Sequence, residues 1–110
     1  MSDYYEKVNG LLASQTPFVS VIMVDATGSV PQDAGTKMLV TKDGYYAGTV
    51  GGGKVEKKAI DEALEMLRSE DSSRTKFFNW ALDRDVGMTC GGIVKLFMEK
   101  HSTSSWNLVV

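Results

Sequence analysis

Gly48-Thr49-Val50-Gly51-Gly52-Gly53-Lys54-Val55-Glu56 joins an apolar alternation (Tyr46, Gly48, Val50) to an amphipathic run that starts near Lys54. The alternation reads as a strand and the run as a helix, with three consecutive glycines between them. Glycine accepts positive φ and lets a ligand come close to the backbone. The helix start adds unpaired N–H groups and the positive end of the helix dipole. Strand, glycines and helix in this order commonly hold a phosphate or another anion. The same order also makes a plain strand-to-helix turn that binds nothing. Three glycines exceed what such a turn requires, which favours the anion site. Neither GxGxxG nor GxxxxGK followed by Ser or Thr is present, so no ordinary dinucleotide site or P-loop is implied.

Downstream, the helix runs from Lys54 to about Ser69, with Ile60, Ala63, Leu64 and Leu67 at core spacing. Lys57, Lys58, Asp61, Glu62, Glu65 and Arg68 form its solvated face, with Lys57–Asp61 and Lys58–Glu62 as opposite charges four apart. Glu56 falls in the first turn, where a carboxylate either complements the dipole or points into the glycine site. Upstream, Met38–Thr41 and Tyr45–Val50 read as a hairpin turned by Asp43-Gly44. Phe18–Val24 (FVSVIMV) reads as a strand buried on both faces, inside a sheet. Between them, Asp25–Thr36 is a long Gly-, Pro- and Asp-containing loop, as suited to a binding role as to a solvated Ω-loop. A helix over Asp3–Ser14 places Tyr4, Val8, Leu11 and Leu12 on one face and is ended by Pro17.

Toward the end of the chain, Thr75–Leu82 reads as a strand, Asp83–Gly92 as a second Gly-rich loop and Ile93–Met98 as the last strand. His101 follows it and reads as a solvated histidine. Residues 102–105 form a small polar linker, and Trp106–Val110 reads as the first strand of a further unit, a frayed tail being the plainer alternative. The expected division is therefore one domain over residues 1–101, followed by linker and strand over 102–110.

With 110 residues the chain makes one domain with a modest core. A hydrophobic share of 43% and a net charge of −2 describe an ordinary globular protein with no nucleic-acid footprint. Residues 1–6 lack the basic and apolar regions of a signal peptide, and no apolar run approaches a membrane span. One cysteine, Cys90, excludes an internal disulfide framework and fits a reducing cytoplasm. Cytoplasmic placement, with neither membrane nor nucleic acid as partner, is the expectation.

Cys90 stands between Thr89 and Gly91-Gly92, so an exposed sulfur and accessible backbone amides can coexist there. A lone cysteine is more often buried and inert. No HxxxH or CxxC spacing accompanies it, so no metal ligand set is assigned, and Ser-His-Asp chemistry has only His101 to draw on.

The blocks TGSVPQDAGTKMLV (27–40), GTVGGGKVE (48–56), AIDEAL (59–64) and CGGIVKLFME (90–99) together resemble the XdhC/CoxI family, the xanthine dehydrogenase accessory factors. The resemblance implies a mixed α/β fold with one sheet of about five strands and packed helices, ahead of a Rossmann-like domain whose first strand Trp106–Val110 would begin. It also implies a chaperone for the molybdenum cofactor that binds molybdopterin, supports its sulfuration and passes it to a molybdenum hydroxylase such as xanthine dehydrogenase. A cysteine desulfurase partner and a homodimer come with it. The cargo is a pterin with a phosphate and a dithiolene-bound metal, which a glycine turn and a thiol suit. Residue by residue, Gly51, Gly52, Gly53 and Glu56 match the family's glycine turn and acid. Cys90, Gly91 and Gly92 match its CGG turn, and Gly28, Ser29, Pro31 and Gly35 match its first loop. Lys54 stands where many members have a cysteine, and Gln32 where many have an arginine. The resemblance thus implies a point charge from Lys54 to phosphate in place of a soft metal ligand. The rival readings are a small thiol-dependent transferase or redox enzyme using Cys90, and an interaction module without catalysis.

Overall fold

The computed structural model describes residues 2–28, 34–69, 73–89 and 91–102. Its elements follow in the order α1 (Ser2–Ala13), β1 (Phe18–Thr27), β2 (Lys37–Thr41), β3 (Gly44–Gly48), α2 (Gly53–Arg68), β4 (Thr75–Ala81), α3 (Leu82–Val86) and β5 (Ile93–His101). The strands form one sheet in the order β3-β2-β1-β5-β4, with every neighbouring pair antiparallel. This is the mixed α+β class with one five-stranded sheet that the sequence implies. Ser29, Gln32, Cys90 and the run Trp106–Val110 expected to open a further domain lie outside the described residues. Among the described residues, no helix is long and apolar enough to cross a membrane.

Alternation along the strands puts Val19, Val21 and Met23 of β1, Met38 and Val40 of β2, and Val94, Leu96 and Met98 of β5 on one face. Helix α2 lies across that face with Val55, Ala59, Ala63 and Met66 inward, and Trp80 and Leu82 close the β4 side. Burying each of the larger side chains contributes about 1.5–3 kcal/mol, so this layer is the main source of stability. The helix stripe differs from the expected one. Ala63 is central, but Ile60, Leu64 and Leu67 only flank the core, part-buried. The two alanines let the helix axis come close to the sheet, and the larger residues then straddle the contact line. Of the expected surface pairs, Lys57–Asp61 forms at 3.6 Å, whereas Lys58 lies over the Trp80 ring, 5.2 Å from its centroid.

The opposite face is only partly covered. Helix α1 packs Tyr4, Val8 and Leu11 against Phe18, Leu39 and Ala47, while Leu12 turns away at 39% exposed. Strand β1 does occupy the interior of the sheet, but it is not buried on both faces, since Val24 is 45% exposed. A register shift between Met23 and Asp25 makes Val24 the extra residue of a bulge. Beyond it Asp25 pairs with Lys95 at 3.8 Å.

Three further expectations are corrected. Strand β3 ends at Gly48, so Val50 enters the core from the turn and not from a strand. The second Gly-rich loop opens with the short helix α3, capped by Gly87 in the left-handed region. Strand β5 continues to His101, whose ring stacks on Phe18 at a centroid distance of 4.7 Å, and Ser20 Oγ lies 3.3 Å from its Nε2. His101 is thus half-buried at the end of two central strands, and burial holds its pKa below the ordinary histidine range.

Because all pairs are antiparallel, the connections fall at two ends. The β1–β2 loop, the β3–α2 turn and the segment from α3 to β5 share one end of the sheet.

Candidate functional site

At that end Gly48 leaves β3 with φ 80°, and its carbonyl accepts the Tyr45 hydroxyl at 2.8 Å. The Thr49 amide donates to the Lys37 carbonyl at 2.9 Å, which fixes the turn to the start of β2. Gly51, Gly52 and Gly53 follow with φ of 125°, 71° and 55°, and Gly52 is the N-cap of α2. The turn therefore has the positive φ values that its three glycines predict.

Three of its amides are used within the turn. Val50 N and Gly52 N each donate to Glu56 Oε1 at 3.3 Å, and the Thr49 hydroxyl donates to the same oxygen at 2.7 Å. Gly51 N donates to Thr49 Oγ1 at 3.1 Å. Glu56 thus points into the glycine site, one of the two placements its sequence position allows. A β-carbon at Gly52 or Gly53 would meet nothing within 4 Å, so the outer side of the turn is open.

Lys54 faces the neighbouring segment, its Nζ donating to the Gly87 carbonyl at 2.9 Å. A lysine ammonium carries three protons, so two donors remain for other partners. The segment is held back on itself by Met88 N to Leu82 O and Leu82 N to Gly92 O, each at 2.9 Å. Asp85 accepts from Ala81 N at 2.8 Å, and the Arg84 guanidinium beside it, with that amide, holds its carboxyl below the usual carboxylate range. Gly28 meets this segment from the first loop. A β-carbon on Gly28 would come within 3.0 Å of the Gly92 Cα.

The sequence-predicted residues therefore fall into two groups at one end of the sheet. Gly51, Gly52, Gly53, Lys54 and Glu56 make the turn, and Gly28, Gly91 and Gly92 lie on the adjoining loops, with Lys54 tying the turn to that side. Ser29 and Cys90 are outside the described residues. The structure adds Thr49 and Gly87, which the sequence reading did not single out. It also adds a cavity of about 340 Å³ beside Gly48 and Thr49, lined by Asp3, Tyr4, Thr36 and Lys37. Thr49 was legible as a hydroxyl next to a glycine turn. Nothing local marked Asp3 and Tyr4, which reach the cavity only because α1 folds across the sheet.

Fold and loops together define a small antiparallel α+β domain whose three connections gather at one sheet end. The chain belongs to the XdhC and CoxI family, whose family model matches residues 11–78. The match takes in Gly28 and the turn through Glu56 and stops before Gly91 and Gly92. YqeB, an uncharacterised protein of Escherichia coli K12, is 37% identical over 89 residues, covering 77% of this chain and 16% of that protein. PaoD of the same organism, a molybdenum cofactor insertion chaperone, is 35% identical over 82 residues, covering 74% of this chain and 26% of PaoD. The chain thus spans about a sixth and about a quarter of these two relatives' lengths. The fold recurs in the crystal structure of a xanthine dehydrogenase from Bacillus halodurans, with TM-score 0.67 at 20% identity over 86% of this chain and 29% of that one.

Proposed function

We propose that this chain binds the molybdenum cofactor as cargo and supports its sulfuration and its insertion into a molybdenum hydroxylase of the xanthine dehydrogenase type. The observation that carries the reading is the relation to PaoD, a molybdenum cofactor insertion chaperone, within a shared family. The loop end supplies a fitting place. Gly52 and Gly53 leave the outer side of the turn open, and Lys54 stands beside it with donors to spare for the phosphate of a molybdopterin. Gly28, Gly91 and Gly92 bring backbone without side-chain bulk to the adjoining side, and Cys90 is assigned the thiol beside the metal end of the cargo. A cysteine desulfurase as sulfur source, a cytoplasmic setting and a homodimer belong to the same proposal.

The test is anaerobic titration of the chain with molybdopterin released from a molybdenum enzyme. Saturable binding is expected, weakened about tenfold or more by Gly52→Val, which places a branched side chain on the open turn at positive φ. Cys90→Ser is expected to leave stability near normal and to lower delivery to an apo-hydroxylase. Absence of binding by the unaltered chain would overturn the reading. It would favour instead an interaction module, to which the partly open sheet face, with Phe77 58% exposed, is the pointer.

A further inference from the structure

We infer that Glu56 is a positioning residue, holding the three-glycine turn from within and making no contact with the ligand. A run of backbone N–H groups turned inward by positive φ values normally receives an external anion. Here Glu56 Oε1 takes Val50 N, Gly52 N and the Thr49 hydroxyl, and Thr49 Oγ1 takes Gly51 N. Three successive amides of the turn thus end on two side chains of the same nine-residue stretch. The carboxylate lies in the first turn of α2, where the helix dipole favours its charge. An incoming phosphate aimed at these amides would meet a negative charge already seated among them. The turn is therefore preorganised by its own acid, and a ligand uses its outer side.

The contrary assignment, that the carboxylate is a plug displaced by the ligand, predicts the opposite response to its removal. Glu56→Ala removes the acceptor, whereas Glu56→Gln keeps an acceptor oxygen at the same position and loses only the charge. Hydrogen exchange of the Val50 and Gly52 amides is expected to quicken about tenfold in Glu56→Ala, with less change in Glu56→Gln and none at the core amides of Val21 and Leu96. Unchanged exchange in Glu56→Ala would overturn the inference. With molybdopterin as probe, Glu56→Ala is expected to bind about tenfold more weakly and Glu56→Gln to recover most of the loss. Tighter binding by Glu56→Ala would identify a plug, and a Glu56→Gln variant as weak as Glu56→Ala would identify a direct charge contact; either result overturns the inference. The binding arm rests on the proposed function, but the exchange arm does not. If the unaltered chain binds no molybdopterin, that function fails and the exchange result alone decides the role of Glu56.

Discussion

Two glycines of the site-forming turn carry positive φ for different reasons, and substitution should separate them. At Gly48 a β-carbon would sit on the Lys37 carbonyl oxygen and within 3.0 Å of the Met38 Cα, both backbone atoms of a central strand. Gly48→Ala should therefore cost more than about 3 kcal/mol, since strain and a backbone clash combine. At Gly52 the space is open, but φ 71° with ψ −174° is a conformation that only glycine adopts readily. Gly52→Ala should cost about 1–3 kcal/mol and still fold. Urea midpoints of the two variants check the order, and equal losses would contradict it. The positive φ of the turn was legible, because three adjacent glycines have few other uses. The destination of the Glu56 carboxylate was not, since a first-turn acid suits the dipole whether or not it folds back onto the turn.

Among the elements, α2 does more than cover the sheet. Its first turn fixes the glycine turn through Glu56 and reaches the α3 segment through Lys54. Lys54→Met keeps the aliphatic stem and removes the donor to Gly87. This exposed hydrogen bond should be worth no more than about 1 kcal/mol. The local effect should be larger than the global one, with exchange at Met88 N several-fold faster while the core amides of α2 keep their rates. Lys54→Arg should retain the link. Equal exchange at Met88 in all three proteins would show that Lys54 does not tether the α3 segment. The existence of α2 was plain from its 3.6-residue period, but its buried stripe was not. The expected stripe includes Ala63 but otherwise selects Ile60, Leu64 and Leu67 by size, whereas close approach selects Val55, Ala59 and Met66 beside Ala63. Helix α3 was missed because five residues carry no periodic signal and Asp83-Arg84-Asp85 reads as a loop.

In the whole molecule, β1 and β5 lie side by side although 65 residues separate the end of one from the start of the other, a pairing that no local pattern announces. His101 closes the far end of that pair against Phe18, beneath the groove edged by α1. Burial lowers its pKa, the nearby Arg74 charge acts the same way, and the Glu99 carboxylate 3.6 Å away opposes them without prevailing. The unfolded chain therefore takes up this proton more readily than the folded one. Stability from this group is complete above the ordinary histidine pKa of about 6.5 and is lost as pH falls through the lower folded value. The urea midpoint should drop between about pH 7.5 and 5.5. His101→Gln, which keeps a polar partner for Ser20, should flatten that slope. An unchanged slope would assign the pH response to other groups.

The two-ended layout of the sheet also decides where the domain tolerates attachment. Asp3 and Tyr4 line the cavity beside Gly48 and Thr49, so a bulky group joined ahead of α1 stands at the mouth of the candidate site. Ser102 follows the other end of β5, whose nine residues span about 30 Å. A fluorophore or surface anchor carried there sits a full strand away from the loops and leaves their approach clear.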